Sequence, residues 1–192
     1  MTGTTTPDAD TPRPVAVLVG FMGAGKSTVG AALARLLDVS LVDTDAEIVR
    51  RAGRPIPQIF VDDGEQAFRD LEAQVIADVL ATHPGVVALG GGAVTTAAVR
   101  EALAGHAVVH LDVTPDAGWG RVRGSDRPLL RADDDHSAEQ RYRDLHAARR
   151  AHYRSVTVHH VDTTTGDADD LARQIVEALT ADHPTPTAGS PS

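Results

Sequence analysis

Val15-Ala-Val-Leu-Val-Gly-Phe-Met-Gly-Ala-Gly-Lys-Ser-Thr28 joins an apolar run to the pattern G-x-x-x-x-G-K-[ST], which extends from Gly20 to Ser27. An amphipathic helical pattern follows, with Val29 and Leu33 on one face. A buried strand, a glycine-rich loop and a helix in this order are the context that a phosphate-binding loop requires. We therefore expect backbone N–H groups of this loop to wrap the phosphates of a nucleotide.

The loop contains the one lysine of the chain, Lys26, against seventeen arginines. A lysine ammonium is a compact point charge and an arginine guanidinium is a broad planar fork, so the two are not interchangeable here. We expect Lys26 to reach the β- and γ-phosphates and the Ser27 hydroxyl to ligate Mg²⁺. The residues predicted to bind the nucleotide through this loop are Gly23, Ala24, Gly25, Lys26, Ser27 and Thr28.

The composition is that of an acidic globular protein. The 192 residues include 27 acidic and 18 basic side chains, for a formal net charge of −9. A general nucleic-acid binder would have a basic excess instead. The absence of cysteine excludes disulfides and thiolate chemistry. No apolar run approaches the roughly 18 residues that a membrane span needs, and the N-terminal segment lacks the apolar core of a signal peptide. We therefore expect a cytoplasmic protein without nucleic-acid or membrane partners.

Beyond the loop, short apolar runs alternate with helical patterns, which favours an α/β fold with a parallel sheet of five strands between two layers of helices. We expect a single domain over residues 14–182, between disordered tails at 1–13 and 183–192. The predicted strands are Val15–Val19, Leu41–Asp43, Val86–Leu89, Ala107–Val113 and Ser155–Val161. The predicted helices are Lys26–Leu37, Glu65–Leu80, Thr95–Leu103, Pro115–Val122, Ser137–Tyr153 and Asp167–Leu179.

A polar segment at about 123–135 interrupts this alternation. Long irregular segments within compact domains are usually functional, and many are lids. Arg127 and Arg131 have an anionic target in the nucleotide phosphates, so we interpret the segment as a mobile lid. A disordered surface insertion is the alternative.

Asp43-Thr-Asp45 ends the second predicted strand, and ligands of open α/β sheets bind at the carboxyl ends of the strands. Asp43 could hold Mg²⁺ through water, and Asp45 could bind a hydroxyl group or accept its proton. The alternative is that Asp45 is the N-cap of a helix.

Two further patterns leave alternatives open. Arg69 and Glu72 are three residues apart on one helix face, where the carboxylate could fix the guanidinium fork for binding a substrate carboxylate or phosphate. On spacing alone, an ordinary surface ion pair is the stronger interpretation. Gly90-Gly-Gly92 indicates a close approach of backbone to a substrate or to the γ-phosphate, or alternatively a tight turn.

The nine histidines have no metal-binding spacing. His159 and His160 are adjacent in a predicted strand and should point to opposite faces. We interpret the histidines as non-functional.

Together these elements resemble the shikimate kinases, small P-loop kinases built like the nucleoside monophosphate kinases. The resemblance covers roughly Val15 to Leu179. It is carried by Gly20–Thr28, Asp43-Thr-Asp45, Asp63-Gly-Glu-Gln-Ala-Phe-Arg-Asp-Leu-Glu72, Ala88-Leu-Gly-Gly-Gly-Ala-Val94 and Arg127-Pro-Leu-Leu130. It implies a monomer that uses ATP and Mg²⁺ to phosphorylate the 3-hydroxyl of shikimate, a step of aromatic amino-acid biosynthesis.

The resemblance also implies roles for individual residues. Ser27 and Asp43 belong to the Mg²⁺ environment, with Asp43 acting largely through water. Asp45 contacts the ring hydroxyls of shikimate and is the candidate base. Lys26, Asp45 and Arg127 form the catalytic set, with Arg127 closing over the nucleotide phosphates from the lid.

For the acceptor, the resemblance implies that Arg69 and Arg149 hold the shikimate carboxylate and that Gly90, Gly91 and Gly92 line the site through their backbone. The family pattern R-x-P-x-Y near the second arginine has no proline here. Arg149 keeps the four-residue spacing to Tyr153 and is therefore preferred, with Arg150 as the rival.

Arg121 is implied to face the adenine ring. The loop after the fifth predicted strand, Asp162-Thr-Thr-Thr-Gly-Asp-Ala168, is acidic where the family often has basic residues, which leaves nucleotide preference open.

Another small-metabolite kinase, acting on gluconate or on a nucleoside monophosphate, remains the alternative. A P-loop GTPase is excluded because its guanine-reading motif requires asparagine, which the chain lacks.

Overall fold

The structure, a computed structural model, describes residues 13–124, Leu130 and residues 135–181. In these ranges the chain forms five strands, eight α-helices and a 3₁₀ turn at Ala93–Thr95. The strands are β1 (Ala16–Val19), β2 (Leu41–Asp43), β3 (Val86–Ala88), β4 (Val108–Asp112) and β5 (His159–Asp162). The α-helices are α1 (Lys26–Leu36), α2 (Thr44–Ala52), α3 (Ile56–Asp62), α4 (Gly64–Thr82), α5 (Ala97–Ala102), α6 (Pro115–Val122), α7 (Asp135–Val156) and α8 (Ala168–Ala181).

The five strands form one parallel sheet in the order β2-β3-β1-β4-β5. Every residue of the central strand β1 is buried, as expected where helices cover both faces of a parallel sheet. One apolar core packs the sheet against α4, α5 and α7, and a second packs the opposite face against α1 and α8. The predicted three-layer α/β/α architecture is therefore confirmed.

The predicted fifth strand is wrong at its start. Helix α7 continues through Val156, and β5 begins at His159 rather than at Ser155. The β-branched residues around Val156 favour a strand locally, but the Val156 side chain packs against the apolar core from the end of the helix. Tertiary packing therefore overrides local propensity here.

Helix α3 was not predicted from the sequence, and α2 was considered only as the alternative in which Asp45 caps a helix. Each is short, and α2 begins only where the Asp43 carboxylate accepts hydrogen bonds from the backbone N–H groups of Asp45 (3.0 Å) and Ala46 (3.3 Å). The N-cap is therefore Asp43, and the interpretation of Asp45 as the cap is wrong. Asp45 lies in the first turn of α2, which leaves its carboxylate for other contacts.

Several predictions fall outside the described residues. The tail predicted at 183–192 and nearly all of the one at 1–13 lie there, as do Arg127 and Arg131 with most of the predicted lid. Among the described residues, no helix is both long enough and apolar enough to cross a membrane.

Candidate active site

The candidate active site lies at the carboxyl ends of three neighbouring strands. In the order β2-β3-β1, the loop after β1 carries Lys26, β2 ends at Asp43, and β3 leads into Gly90–Gly92. Ligands of open α/β sheets bind at this edge. The topology therefore brings together three motifs that are far apart in the sequence.

The loop after β1 opens helix α1 directly. Gly25 is the N-cap of α1 in the left-handed conformation (φ 84°), and the exposed Ser27 and Thr28 follow in the first turn. The Lys26 ammonium donates to the carbonyls of Gly20 (2.8 Å) and Phe21 (3.2 Å), so it lies across the loop that it belongs to. A helix N-terminus with a cation above it is suited to binding phosphate.

Ser27 and Asp43 meet beside this loop. The Ser27 hydroxyl donates to Asp43 Oδ2 over 3.3 Å, while Asp43 Oδ1 caps α2. A hydroxyl and a carboxylate oxygen at this separation are the hard oxygen donors that Mg²⁺ takes, with water filling the other positions. The two residues predicted as the metal environment are thus side by side.

Gly90 and Gly92 give the backbone a close approach to the predicted substrate residues. A Cβ on residue 90 would be closer than 3.0 Å to Asp45 Oδ1, and a Cβ on residue 92 would be 2.9 Å from the Arg69 guanidinium. The backbone N–H of Gly90 also donates to the buried Thr44 hydroxyl over 3.1 Å. Any larger residue would displace Asp45 or Arg69, which explains the glycines at these positions.

The Arg69–Glu72 pair is not a surface ion pair. Glu72 is 1% exposed, and its carboxylate accepts from Arg69 Nη1 over 2.8 Å. Burial raises the pKa of Glu72, opposed by the hydrogen bond and charge of Arg69, while the nearby Asp45 carboxylate raises it further. The interpretation favoured by spacing alone is therefore wrong, because packing against the sheet buries this face of α4.

Arg149 approaches the same glycines from α7. Its side chain is buried and donates to the Gly91 carbonyl over 3.0 Å, and the Tyr153 hydroxyl donates to the same oxygen over 2.6 Å. Burial lowers the pKa of Arg149 from its ordinary value, and the neighbouring Arg69 charge lowers it further. Arg150 is exposed and lies on a different face of α7. The fold therefore separates the two rivals, and Arg149 is the one beside Gly91.

Arg121, predicted to face adenine, braces the phosphate loop against the loop after β5. Its guanidinium donates to the carbonyls of Gly23 (2.9 Å), Thr163 (2.7 Å) and Thr164 (3.1 Å). The Thr163 hydroxyl in turn donates to the Ala24 carbonyl over 3.0 Å. Contact between Arg121 and adenine stays a prediction, but the guanidinium is held at the border of the predicted phosphate-binding loop.

Sequence reasoning missed Thr44 and Tyr153 as parts of this site. Thr44 lies between two aspartates after a strand, and nothing in that pattern indicates that its hydroxyl accepts a hydrogen bond from the Gly90 N–H. The sequence analysis used Tyr153 only to choose Arg149 over Arg150. The two residues are one helical turn apart and donate to the same carbonyl, so their four-residue spacing could have indicated that Tyr153 also belongs to the site.

The comparisons with known proteins agree with this geometry. The sequence profile described as shikimate kinase matches residues 22–180. The chain belongs to the shikimate kinase family. A shikimate kinase of Mycobacterium avium (strain 104) is 47% identical over 169 residues, which are 88% of this chain and 94% of that protein. A shikimate kinase of Mycobacterium tuberculosis (strain CDC 1551 / Oshkosh) is 46% identical over 176 residues, 91% of this chain and 98% of that protein.

A solved shikimate kinase superposes closely on this structure, and a gluconokinase superposes less well. The shikimate kinase of Acinetobacter baumannii, solved in complex with shikimate, has a TM-score of 0.83 at 38% identity and covers 92% of this chain and 97% of its own. A gluconokinase of Sinorhizobium meliloti 1021 has a TM-score of 0.56 at 22% identity, covering 89% and 93%. The second match supports only the shared P-loop kinase fold. The predicted fold class is confirmed.

Proposed function

We propose that the chain transfers the γ-phosphoryl group of ATP to the 3-hydroxyl of shikimate, giving shikimate 3-phosphate and ADP. The observation that carries the proposal is the convergence of Asp45, Arg69 and Arg149 on Gly90–Gly92, directly beside the phosphate loop. Two guanidinium groups can bind the carboxylate of the acceptor, and the Asp45 carboxylate can bind its hydroxyls. Family membership at 47% identity supports the same substrate.

In the proposed reaction, the 3-hydroxyl oxygen forms a bond to the γ-phosphorus of ATP. The bond from that phosphorus to the oxygen that bridges it to the β-phosphate breaks, and ADP leaves with this oxygen. Asp45 accepts the hydroxyl proton. Phosphoryl transfer needs positioning and charge stabilisation more than covalent help from the protein.

Arg69 and Arg149 hold the acceptor carboxylate in this scheme. The two guanidinium groups lie on different helices, α4 and α7, and each is fixed by a second contact, to Glu72 and to Gly91 respectively. Because the forks are already oriented, little side-chain entropy is lost when the carboxylate binds. The acceptor is thereby placed with its hydroxyls toward Asp45.

Lys26, Ser27 and Asp43 serve the phosphates. When nucleotide binds, we expect the Lys26 ammonium to exchange its bonds to Gly20 and Phe21 for bonds to phosphate oxygens. Ser27 and Asp43 would hold Mg²⁺, which supplies neutralisation of the phosphate charge. Arg127 in the lid, a monomeric state and a cytoplasmic location stay predictions from the sequence.

ADP release measured by a coupled assay tests the proposal, with ATP, Mg²⁺ and either shikimate, gluconate or a nucleoside monophosphate as the acceptor. We expect release that depends on shikimate and is confined to that acceptor. Release with gluconate or a nucleoside monophosphate alone would contradict the substrate while leaving the phosphate site intact. No release with any acceptor would contradict the activity itself.

A further inference from the structure

A cluster of metal-ligating side chains lies outside the site described above, on one face of β4 and β5. His110 and Asp112 are two residues apart on β4 and therefore point to the same face. His160 pairs with His110 in the parallel register of β4 and β5 and shares that face. One ligand atom from each of the three residues lies within 4.8 Å of the other two. Sequence spacing alone gives no sign of this group, because its members come from two strands.

The distances are close to those of a metal centre. Ligands at about 2.0–2.1 Å from a tetrahedral Zn²⁺ stand about 3.3–3.4 Å from one another. His160 Nε2 and Asp112 Oδ2 are 3.1 Å apart. The remaining separations, of at most 4.8 Å, require a rotation of one side chain. The His160 side chain is 55% exposed on the edge strand of the sheet, so it has the freedom to rotate.

The other imidazole is held in place. His110 is 7% exposed and stacks on the Tyr153 ring, with centroids 4.9 Å apart and an interplanar angle of 11°. The His160 ring meets it edge to face at 5.5 Å. A buried imidazole favours its neutral form, which is the form that ligates metals. The His110 imidazole is thus preorganised, and the His160 imidazole can rotate toward the same metal ion.

We propose that His110, Asp112 and His160 bind a transition-metal dication of the Zn²⁺ class through two imidazole nitrogens and one carboxylate oxygen. Imidazole ligands favour Zn²⁺, Co²⁺, Ni²⁺ or Cu²⁺ over Mg²⁺, which prefers oxygen. Binding at His160 Nε2 removes its hydrogen bond to Asp112. The Nε2 proton passes to solvent, and the neutral ring carries its one proton on Nδ1. This site is distinct from the Ser27–Asp43 oxygen pair.

The surroundings leave room for a fourth ligand. A cavity of about 70 Å³ adjoins the three residues, with Phe21 and His146 among the residues that line it. This volume holds one or two waters. Arg150 and Arg154 also line the cavity, and their charges oppose a bare dication. The same charges would favour an anionic fourth ligand, such as hydroxide or chloride, so we expect the metal to bind together with a water-derived or halide anion.

The test is a titration of the full chain with Co²⁺, followed by visible absorption, with Zn²⁺ as competitor and excess Mg²⁺ to fill the oxygen site. We expect one equivalent to bind the wild-type protein, and His160→Ala and Asp112→Asn each to weaken binding about tenfold or more. Asp112→Asn keeps a side-chain oxygen for its hydrogen bond with the Val113 N–H, which preserves the local fold. The matched control is His159→Ala, at the adjacent position on the opposite face of β5, which should bind as the wild type does.

Equal affinity in the wild type, His160→Ala and Asp112→Asn would overturn the proposal. Loss of affinity in His159→Ala equal to the loss in His160→Ala would also overturn it, because the metal would then be held by histidines of β5 without regard to the face they lie on. Thermal unfolding with and without Zn²⁺ measures metal binding independently of the absorption titration. A metal that binds the folded state raises the wild-type Tm, and this rise should be absent in His160→Ala. The result does not depend on kinase activity.

Discussion

Asp45 faces Gly90 so closely that its carboxylate Oδ1 occupies the space a Cβ on residue 90 would need. We therefore predict that Gly90→Ala displaces the Asp45 carboxylate and lowers kcat with shikimate by about 10²-fold, the cost of a misplacement of about 1 Å at a reacting group. Nucleotide binding should be retained, because the phosphate loop is not touched. Steady-state kinetics and ATP titration measure the two effects.

The control for this substitution is Gly120→Ala. Gly120 lies in α6 with no atom within 4 Å of its Cβ position, so an added methyl group meets nothing. Its kcat should stay within about twofold of the wild-type value, because the added methyl group displaces no side chain of the site. A Gly90→Ala enzyme as active as Gly120→Ala would show that the position of Asp45 does not limit turnover.

Asp45→Asn separates the proton-accepting role of this residue from its shape. The amide fits the same space but cannot take the hydroxyl proton, so we expect kcat to fall by about 10²- to 10⁴-fold, the usual contribution of general base catalysis. Binding of ATP, measured by calorimetry, should be unchanged because Lys26 and Ser27 are intact. Near-normal turnover would remove Asp45 from the role of base.

Glu72→Gln tests whether a buried partner positions Arg69. Replacing the carboxylate that accepts from Arg69 by a neutral amide should cost about 1.4 kcal/mol, so we expect the KM for shikimate to rise about tenfold while kcat changes less. The matched control is Glu65→Gln. The Glu65 side chain is 71% exposed, and its carboxylate is 3.4 Å from the same guanidinium. If both variants raise KM equally, the effect comes from loss of negative charge near Arg69 and not from its fixation by Glu72.

Arg149→Ala and Arg150→Ala compare adjacent arginines on α7. Arg149 is 6% exposed and bonded to Gly91, and Arg150 is exposed to solvent. We expect the first substitution to raise the KM for shikimate about 10²-fold, as for truncation of a buried charge partner, and the second to leave it within about threefold. Thermal unfolding of both variants checks that the fold is kept. A larger effect at Arg150 would reverse the assignment of the carboxylate ligand.

The sheet and the phosphate loop were predictable because their signals are local. A continuous apolar run ending at Gly20, followed by a helical repeat, has few structural interpretations. The burial of Glu72 was not predictable, because the spacing from Arg69 to Glu72 is the same on an exposed and on a buried helix face. Burial depends on how α4 packs against the sheet, and the residues of the sheet are far from α4 in sequence.

The same limit explains why two other features were missed. Val156 and Val158 have β-branched side chains that favour a strand, yet α7 extends through the first of them because it packs on the core. His110 and His160 are separated by 50 residues, and only the parallel pairing of β4 with β5 makes them neighbours. Motif spacing detects ligands that share one helix or loop, but not ligands that a sheet brings together.

In the proposed mechanism the buried Arg149 and the partly buried Arg69 hold the carboxylate of shikimate while Asp45 meets its hydroxyls. Its most direct test is the ratio of kcat/KM for shikimate to that for shikimate methyl ester, which keeps every hydroxyl and lacks the charge. We expect a ratio of about 10² or more, because the ester leaves the Arg69 and Arg149 charges without their partner. Equal kcat/KM values for acid and ester would contradict it, since the arginines would then have another task.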